Sequence, residues 1–124
     1  MVKTNNGTIN KKDMEKRLGK ITSVKFGLGG YQGAMLGLHV SLGNNGWGVN
    51  DSTANWDAEQ ISCSEHSKWT ELDRDGWYAE IMRYVSKLLK EAKVNSVDEL
   101  KGKPVEATFD GNMLKEWRIL TEVL

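Results

Sequence analysis

The pattern of apolar residues predicts an α+β fold. One antiparallel β-sheet, an N-terminal meander plus a C-terminal hairpin, packs against one long helix and a short helix. Three observations predict it. Leu36, Leu38, Val40 and Leu42 alternate with Met35, Gly37, His39 and Ser41, the period of a strand with one buried face. Trp77, Ile81, Tyr84, Val85, Leu88 and Ala92 recur at helical spacing and form one apolar stripe. Val105, Ala107 and Phe109 alternate with Glu106 and Thr108 up to the turn Asp110-Gly111-Asn112, which reads as a hairpin.

The elements follow in order. Residues 1–19 are basic, with Lys3, Lys11, Lys12, Lys16 and Arg17 against Asp13 and Glu15. They form either a flexible solvated arm or an arm that reaches a neighbouring subunit's acidic segment. Residues 20–124 are expected to make a single domain, with order starting near Gly19. Lys20 to Gly27 predicts a strand carrying Val24 and Phe26 on one face. Gly29-Gly30-Tyr31-Gln32-Gly33 interrupts the pattern, and Met35 to Leu42 resumes it. Asn44-Asn45-Gly46 is a turn, because Asn and Gly tolerate positive φ, and Trp47-Gly48-Val49 starts a third strand.

Asn50 to Glu65 shows little periodicity and predicts a long irregular connection. Thr70 followed by Asp73 resembles a capping box and starts a helix that runs to Ala92. Ser96 with Glu99 caps a short helix ending before Gly102 and Pro104. The last strand has Trp117, Ile119, Thr121 and Val123 on one side and Glu116, Arg118, Leu120 and Glu122 on the other.

Composition narrows the function classes. The chain has 124 residues, with 17 basic and 17 acidic side chains. A dedicated duplex-binding protein is usually strongly basic, so that class is weakened. No window approaches the roughly 18 apolar residues of a membrane span, and the N-terminus lacks the apolar core of a signal peptide. The single cysteine, Cys63, forms no intrachain disulfide, as expected in a reducing cytoplasm. The five tryptophans exceed what a small core needs and point to a binding surface.

Catalytic constellations are not evident. Cys63 and His66 sit three apart and His39 stands alone in a strand, too few ligands for zinc. Cys63 as a nucleophile would need a histidine that the spacing does not demand. Asp73, Asp75 and Glu80 near a helix start are explained by the helix dipole. No catalytic residue, metal or cofactor is therefore expected, and the chain reads as a binding protein rather than an enzyme. The segment Gly27 to Gly33 matches neither a Walker A loop nor a dinucleotide fingerprint. It is either a flexible connection or backbone that approaches a ligand closely, with Tyr31 as a stacking platform. Trp77 and Trp117 suit the core, whereas Trp47, Trp56 and Trp69 are less easily assigned to packing. Arg118 either pairs with Glu116 or Glu122 or offers a bidentate fork to a phosphate.

The segments FGLGGYQGAMLGL, GNNGWGV, KWTELDR and LKGKPVEATFDGNMLKEWRILTEVL resemble the first family of phage-encoded Thoeris anti-defence proteins over about Lys20 to Leu124. The resemblance implies a sponge that binds and sequesters glycocyclic ADP-ribose, a cyclic ADP-ribose isomer made by TIR-domain proteins, without cleaving it. It implies a homo-oligomer in the cytoplasm of the infected bacterial host, with ligand pockets near subunit interfaces. Some family members also hold other cyclic nucleotides. Residue chemistry inside these segments nominates Tyr31, Trp47 and Trp69 to stack the base and Arg74 and Arg118 to meet the diphosphate. Gly29 and Gly30 would give backbone approach, and Asp110, Asn112 and Glu122 would accept ribose hydroxyls. A rival reading is a protein-binding inhibitor of a host defence enzyme or CRISPR effector, acting through the acidic 51–75 segment. A third is a phosphodiesterase that degrades the same signal.

Overall fold

A computed structural model describes residues 14–57 and 69–124. The chain order is β1 (Glu15–Gly29), β2 (Met35–Asn44), β3 (Trp47–Trp56), α1 (Glu71–Ala92), β4 (Pro104–Asp110) and β5 (Met113–Ile119). The five strands form one antiparallel sheet in the order β3-β2-β1-β4-β5. The expected α+β architecture is therefore present, meander, hairpin and long helix included.

The sheet is organised around β1, whose two halves serve different hairpins. Residues Glu15 to Lys20 pair with β4, and Lys20 to Gly29 pair with β2. A register shift between Ile21 and Ser23 marks the changeover, where a bulge sharpens the twist. The hairpins consequently fold towards each other over one face. Trp117 on β5 donates from Nε1 to Asp51 Oδ2 on β3 at 2.7 Å, although these are the two edge strands. Four strand spacings would separate them by about 19 Å in a flat sheet, so the contact requires strong curling.

Helix α1 fills the concave side. Thr70 caps it: Asp73 N donates to Thr70 Oγ1 at 3.1 Å and Thr70 N donates to Asp73 Oδ2 at 3.0 Å. Its stripe Ile81, Val85, Leu88 and Ala92 is buried against Leu38, Val40, Leu42, Ile21, Val105 and Ile119. Trp47 lies across β1, edge-to-face with Phe109 on β4 at 5.3 Å. Gly19 permits this, because a Cβ there would fall 2.6 Å from the indole.

Four element expectations change. β1 begins at Glu15, reaching back into the segment read as an arm, because β4 offers a partner as far as Phe109. The expected irregular connection is ordered strand up to Trp56, paired along its whole length with β2; its alternation is hidden because Asp51 and Thr53 take inward positions. The remainder of that connection, with Cys63 and His66, lies outside the described residues. The short helix is a single 3-10 turn, Val97–Leu100, and Ser96 Oγ donates to the carboxylates of Asp98 and Glu99 instead of capping the backbone. β5 stops at Ile119 and Thr121–Val123 forms a 3-10 turn, since β4 has no residue before Pro104 to continue the ladder.

Candidate binding face

Because α1 covers one side of the sheet, the other side of the meander is open among the described residues, and the strand period decides what it displays. Register sets its side chains in cross-strand rows. Gly29, Met35 and Trp56 form one row, Gly27, Gly37 and Ala54 the next, then Lys25, His39 and Ser52, then Ser23, Ser41 and Asn50. The face thus grades from an aromatic end, across a row with almost no side chains, to a polar and cationic end.

His39 organises this surface. Its Nε2 lies 3.1 Å from both the Gly27 and the Met35 carbonyl oxygens, and its Nδ1 lies 2.7 Å from Ser52 Oγ. Carbonyl oxygens only accept, so Nε2 carries a hydrogen, and in the neutral ring Nδ1 accepts from the Ser52 hydroxyl. The ring leans towards the glycines, and Gly29 makes room for it: a Cβ there would sit 3.1 Å from the imidazole. Beside it Ser41 Oγ donates to Asn50 Oδ1 at 2.7 Å, which leaves the Asn50 amide hydrogens for a ligand. Lys25 and Ser23 have no partner among the described residues.

Together these groups line an open depression of about 430 Å³ with Gly29 and Gly30 on its rim. Tyr31 follows Gly30 directly; it is 66% exposed and meets Trp56 edge-on at 6.1 Å. Gly30 has φ 67°, a left-handed conformation that glycine adopts without penalty. A larger depression, about 560 Å³, lies beside Leu18, Lys20 and Asn44. Asn44 is already used at both ends, donating to Leu18 O and accepting from Gly46 N.

The other nominated residues are spread over the molecule. Trp47 packs on Phe109, and its Nε1 donates to Leu18 O at 3.3 Å. Trp69 is buried before α1, 5.9 Å from Trp77, with the Arg74 guanidinium 5.9 Å from its ring. Arg118 is bound by its own chain: Nε donates to Glu106, and the two terminal nitrogens donate to Glu122 at 3.0 and 2.8 Å. That pairing holds the Glu122 carboxyl down at about 2. Asp110 and Asn112 flank Gly111 in the β4–β5 turn. Of the set, Gly29 and Gly30 line the depression on the open face and Tyr31 follows them in the chain; Trp69 with Arg74 and Arg118 with Glu122 form separate pairs elsewhere.

Compared with protein-family models, curated proteins and solved structures, the chain has no match. Among the described residues no three His, Cys, Asp or Glu side chains cluster to hold a metal, and no helix is long and apolar enough to cross a membrane.

Lys25, His39, Asn50, Ser52 and Trp56 build the face, yet sequence spacing alone does not single out the first four as a site. The usable signal was parity: once Leu36, Leu38, Val40 and Leu42 are assigned inward, His39 and Ser41 must face outward. Extending that parity through β3 would have added Asn50, Ser52 and Trp56.

Proposed function

We propose that the protein is a sponge that binds a cyclic ADP-ribose isomer, glycocyclic ADP-ribose, and holds it intact, so that a TIR-domain defence signal does not reach its effector. The observation that supports this reading is the open depression around His39. Its volume of about 430 Å³ falls in the range of small-molecule sites, roughly 300–1,000 Å³. It offers an ammonium and an amide as donors at one end, and exposed Tyr31 with half-buried Trp56 lies close to the other. A nucleotide needs those chemistries, and stacking on an aromatic ring contributes roughly 1–3 kcal/mol per base. The resembling segment FGLGGYQGAMLGL spans the end of β1 and the start of β2, so it frames this same depression.

The rival reading, inhibition of a protein through the acidic 51–75 segment, loses two of its acids to internal duties. Asp51 accepts from Trp117, and Asp73 caps α1. The test is direct. Purified protein is incubated with glycocyclic ADP-ribose, filtered and heat-denatured, and the released compound is identified. Stoichiometric intact ligand supports sequestration, and a cleaved product would establish the phosphodiesterase reading instead. Ligand neither retained nor consumed would refute both.

A further inference from the structure

His39 sits where a change in its charge would reverse the hydrogen bond that Ser52 offers. In the neutral ring Nε2–H is committed to the Gly27 and Met35 carbonyls, and Nδ1 takes the Ser52 hydroxyl hydrogen. Ser52 then shows lone pairs to the depression, the wrong polarity for an anion. Protonation puts a hydrogen on Nδ1, which donates to Ser52 Oγ over the same 2.7 Å contact. The hydroxyl hydrogen is released and is free to point at a ligand. The same event adds a positive charge next to Lys25, the register partner of His39 on β1.

We infer that the Lys25–His39–Ser52 row is an oxyanion subsite for the diphosphate of the ligand, and that protonation of His39 switches Ser52 from acceptor to donor, so that binding tightens on acidification. This inference rests on the nucleotide reading of the same depression. The surrounding groups favour it. From β1 the charged group facing His39 is Lys25; from β2 the neighbour is Ser41; from β3 the neighbours are Ser52 and Asn50. The Asp51 carboxylate, which would oppose an anion, is on the concave side and is held by Trp117. Asn50 already has its oxygen occupied by Ser41, so its amide hydrogens add to the donor set.

The experiment is calorimetric titration of the full chain with glycocyclic ADP-ribose at pH 5.5 and pH 8.0. Each phosphorus of that ligand carries one ester and one anhydride link and a single strongly acidic oxygen, so its diphosphate charge is constant across the interval and a pH effect arises from the protein. Affinity should be at least about tenfold higher at pH 5.5, the effect of one added charge-assisted hydrogen bond. His39→Gln should give the same affinity at both pH values. Ser52→Ala should lose most of the acid gain, and Lys25→Ala should weaken binding at both pH values while keeping the ratio. His66→Gln, at the other histidine of the chain, should keep the wild-type ratio.

Circular dichroism of each variant separates loss of fold from loss of binding. A pH ratio that persists in folded His39→Gln, or affinity indifferent to Lys25→Ala, overturns the subsite while leaving the nucleotide reading standing. No binding by the wild type at either pH overturns both.

Discussion

Replacing Trp117 by Phe should destabilise the fold through one hydrogen bond. The phenyl ring keeps aromatic packing in the Ala107–Trp117 row of the β4–β5 hairpin, but the 2.7 Å donor to Asp51 disappears. A hydrogen bond to a charged acceptor contributes about 1.5–3 kcal/mol. Asp51 is half-buried, so water compensates in part, and the lower end applies, about 1.5 kcal/mol. For a domain of this size that lowers the melting temperature by roughly 5 °C.

Asp51→Asn in the Trp117→Phe background removes the unpartnered charge and should cost less than it does in the wild type. The double-mutant cycle isolates that coupling as about 1 kcal/mol or more. Urea unfolding followed by circular dichroism gives each corner of the cycle. Additive effects, or a Trp117→Phe protein that melts within about 1 °C of wild type, would refute the claim that this bond draws the two edge strands together. The cycle also has a pH signature. Burial, and then the Asp51 charge, raise the Tyr84 phenol above its ordinary 10.0. A raised folded-state value means stability that is fully present below about pH 10 and lost as pH climbs through the raised value. Asp51→Asn removes one cause, so tyrosinate absorbance should appear at lower pH, and the alkaline loss of stability, which starts near pH 10 in both proteins, should be smaller and finish at lower pH.

Other consequences follow from single contacts. Gly19→Ala places a methyl 2.6 Å from the Trp47 indole and 2.7 Å from Gly43 O, so it should cost about 1–3 kcal/mol by overpacking, measured by urea unfolding; a neutral substitution would mean that Trp47 does not cross β1 as described. Thr70→Ala removes the acceptor for Asp73 N and should cost about 1 kcal/mol, whereas Thr70→Ser should be nearly silent in the same assay. Glu122 is held at about 2 by Arg118, from an ordinary 4.5. Its depressed value means the Arg118 pairing is intact above about pH 4.5 and lost as pH falls through about 2, so carboxyl NMR should show Glu122 titrating near pH 2, and Arg118→Ala should return it towards 4.5.

The sequence exposed the fold wherever one period dominated. The α1 stripe, the β2 alternation and the Thr70–Asp73 cap have local physical signatures, and each stands where its pattern placed it. β3 was opaque beyond Val49 because its inward positions include Asp51 and Thr53, which look like surface residues until the curl of the sheet brings Trp117 to them and the packing of α1 brings Tyr84. That curl depends on β1 being shared between two hairpins, and such long-range pairing leaves no short-range mark. The candidate site was less legible for a related reason. Selecting aromatics and arginines by chemistry gathers residues that a small domain also needs for construction: Trp47 bridges β1, Trp69 is buried beside Arg74, and Arg118 is neutralised by Glu106 and Glu122.

Those assignments sharpen the question of where a ligand would meet the chain. An arginine held by two carboxylates must break those pairs before it serves a phosphate, and a buried tryptophan must leave the core before it stacks a base. Lys25 and Tyr31 face neither obstacle: the lysine has no ion-pair partner among the described residues, and the tyrosine is largely exposed. The glycines between them act through what they omit. Gly29 clears the space over which His39 reaches its two carbonyl acceptors, and Gly37 clears space against β3, where a Cβ would come within 2.3 Å of Thr53 O. A side chain at either position would displace the ring or part the strands. The glycine-rich segment therefore acts less as a phosphate cradle than as the bed that holds an imidazole in one tautomer, with Ser52 waiting on its other nitrogen.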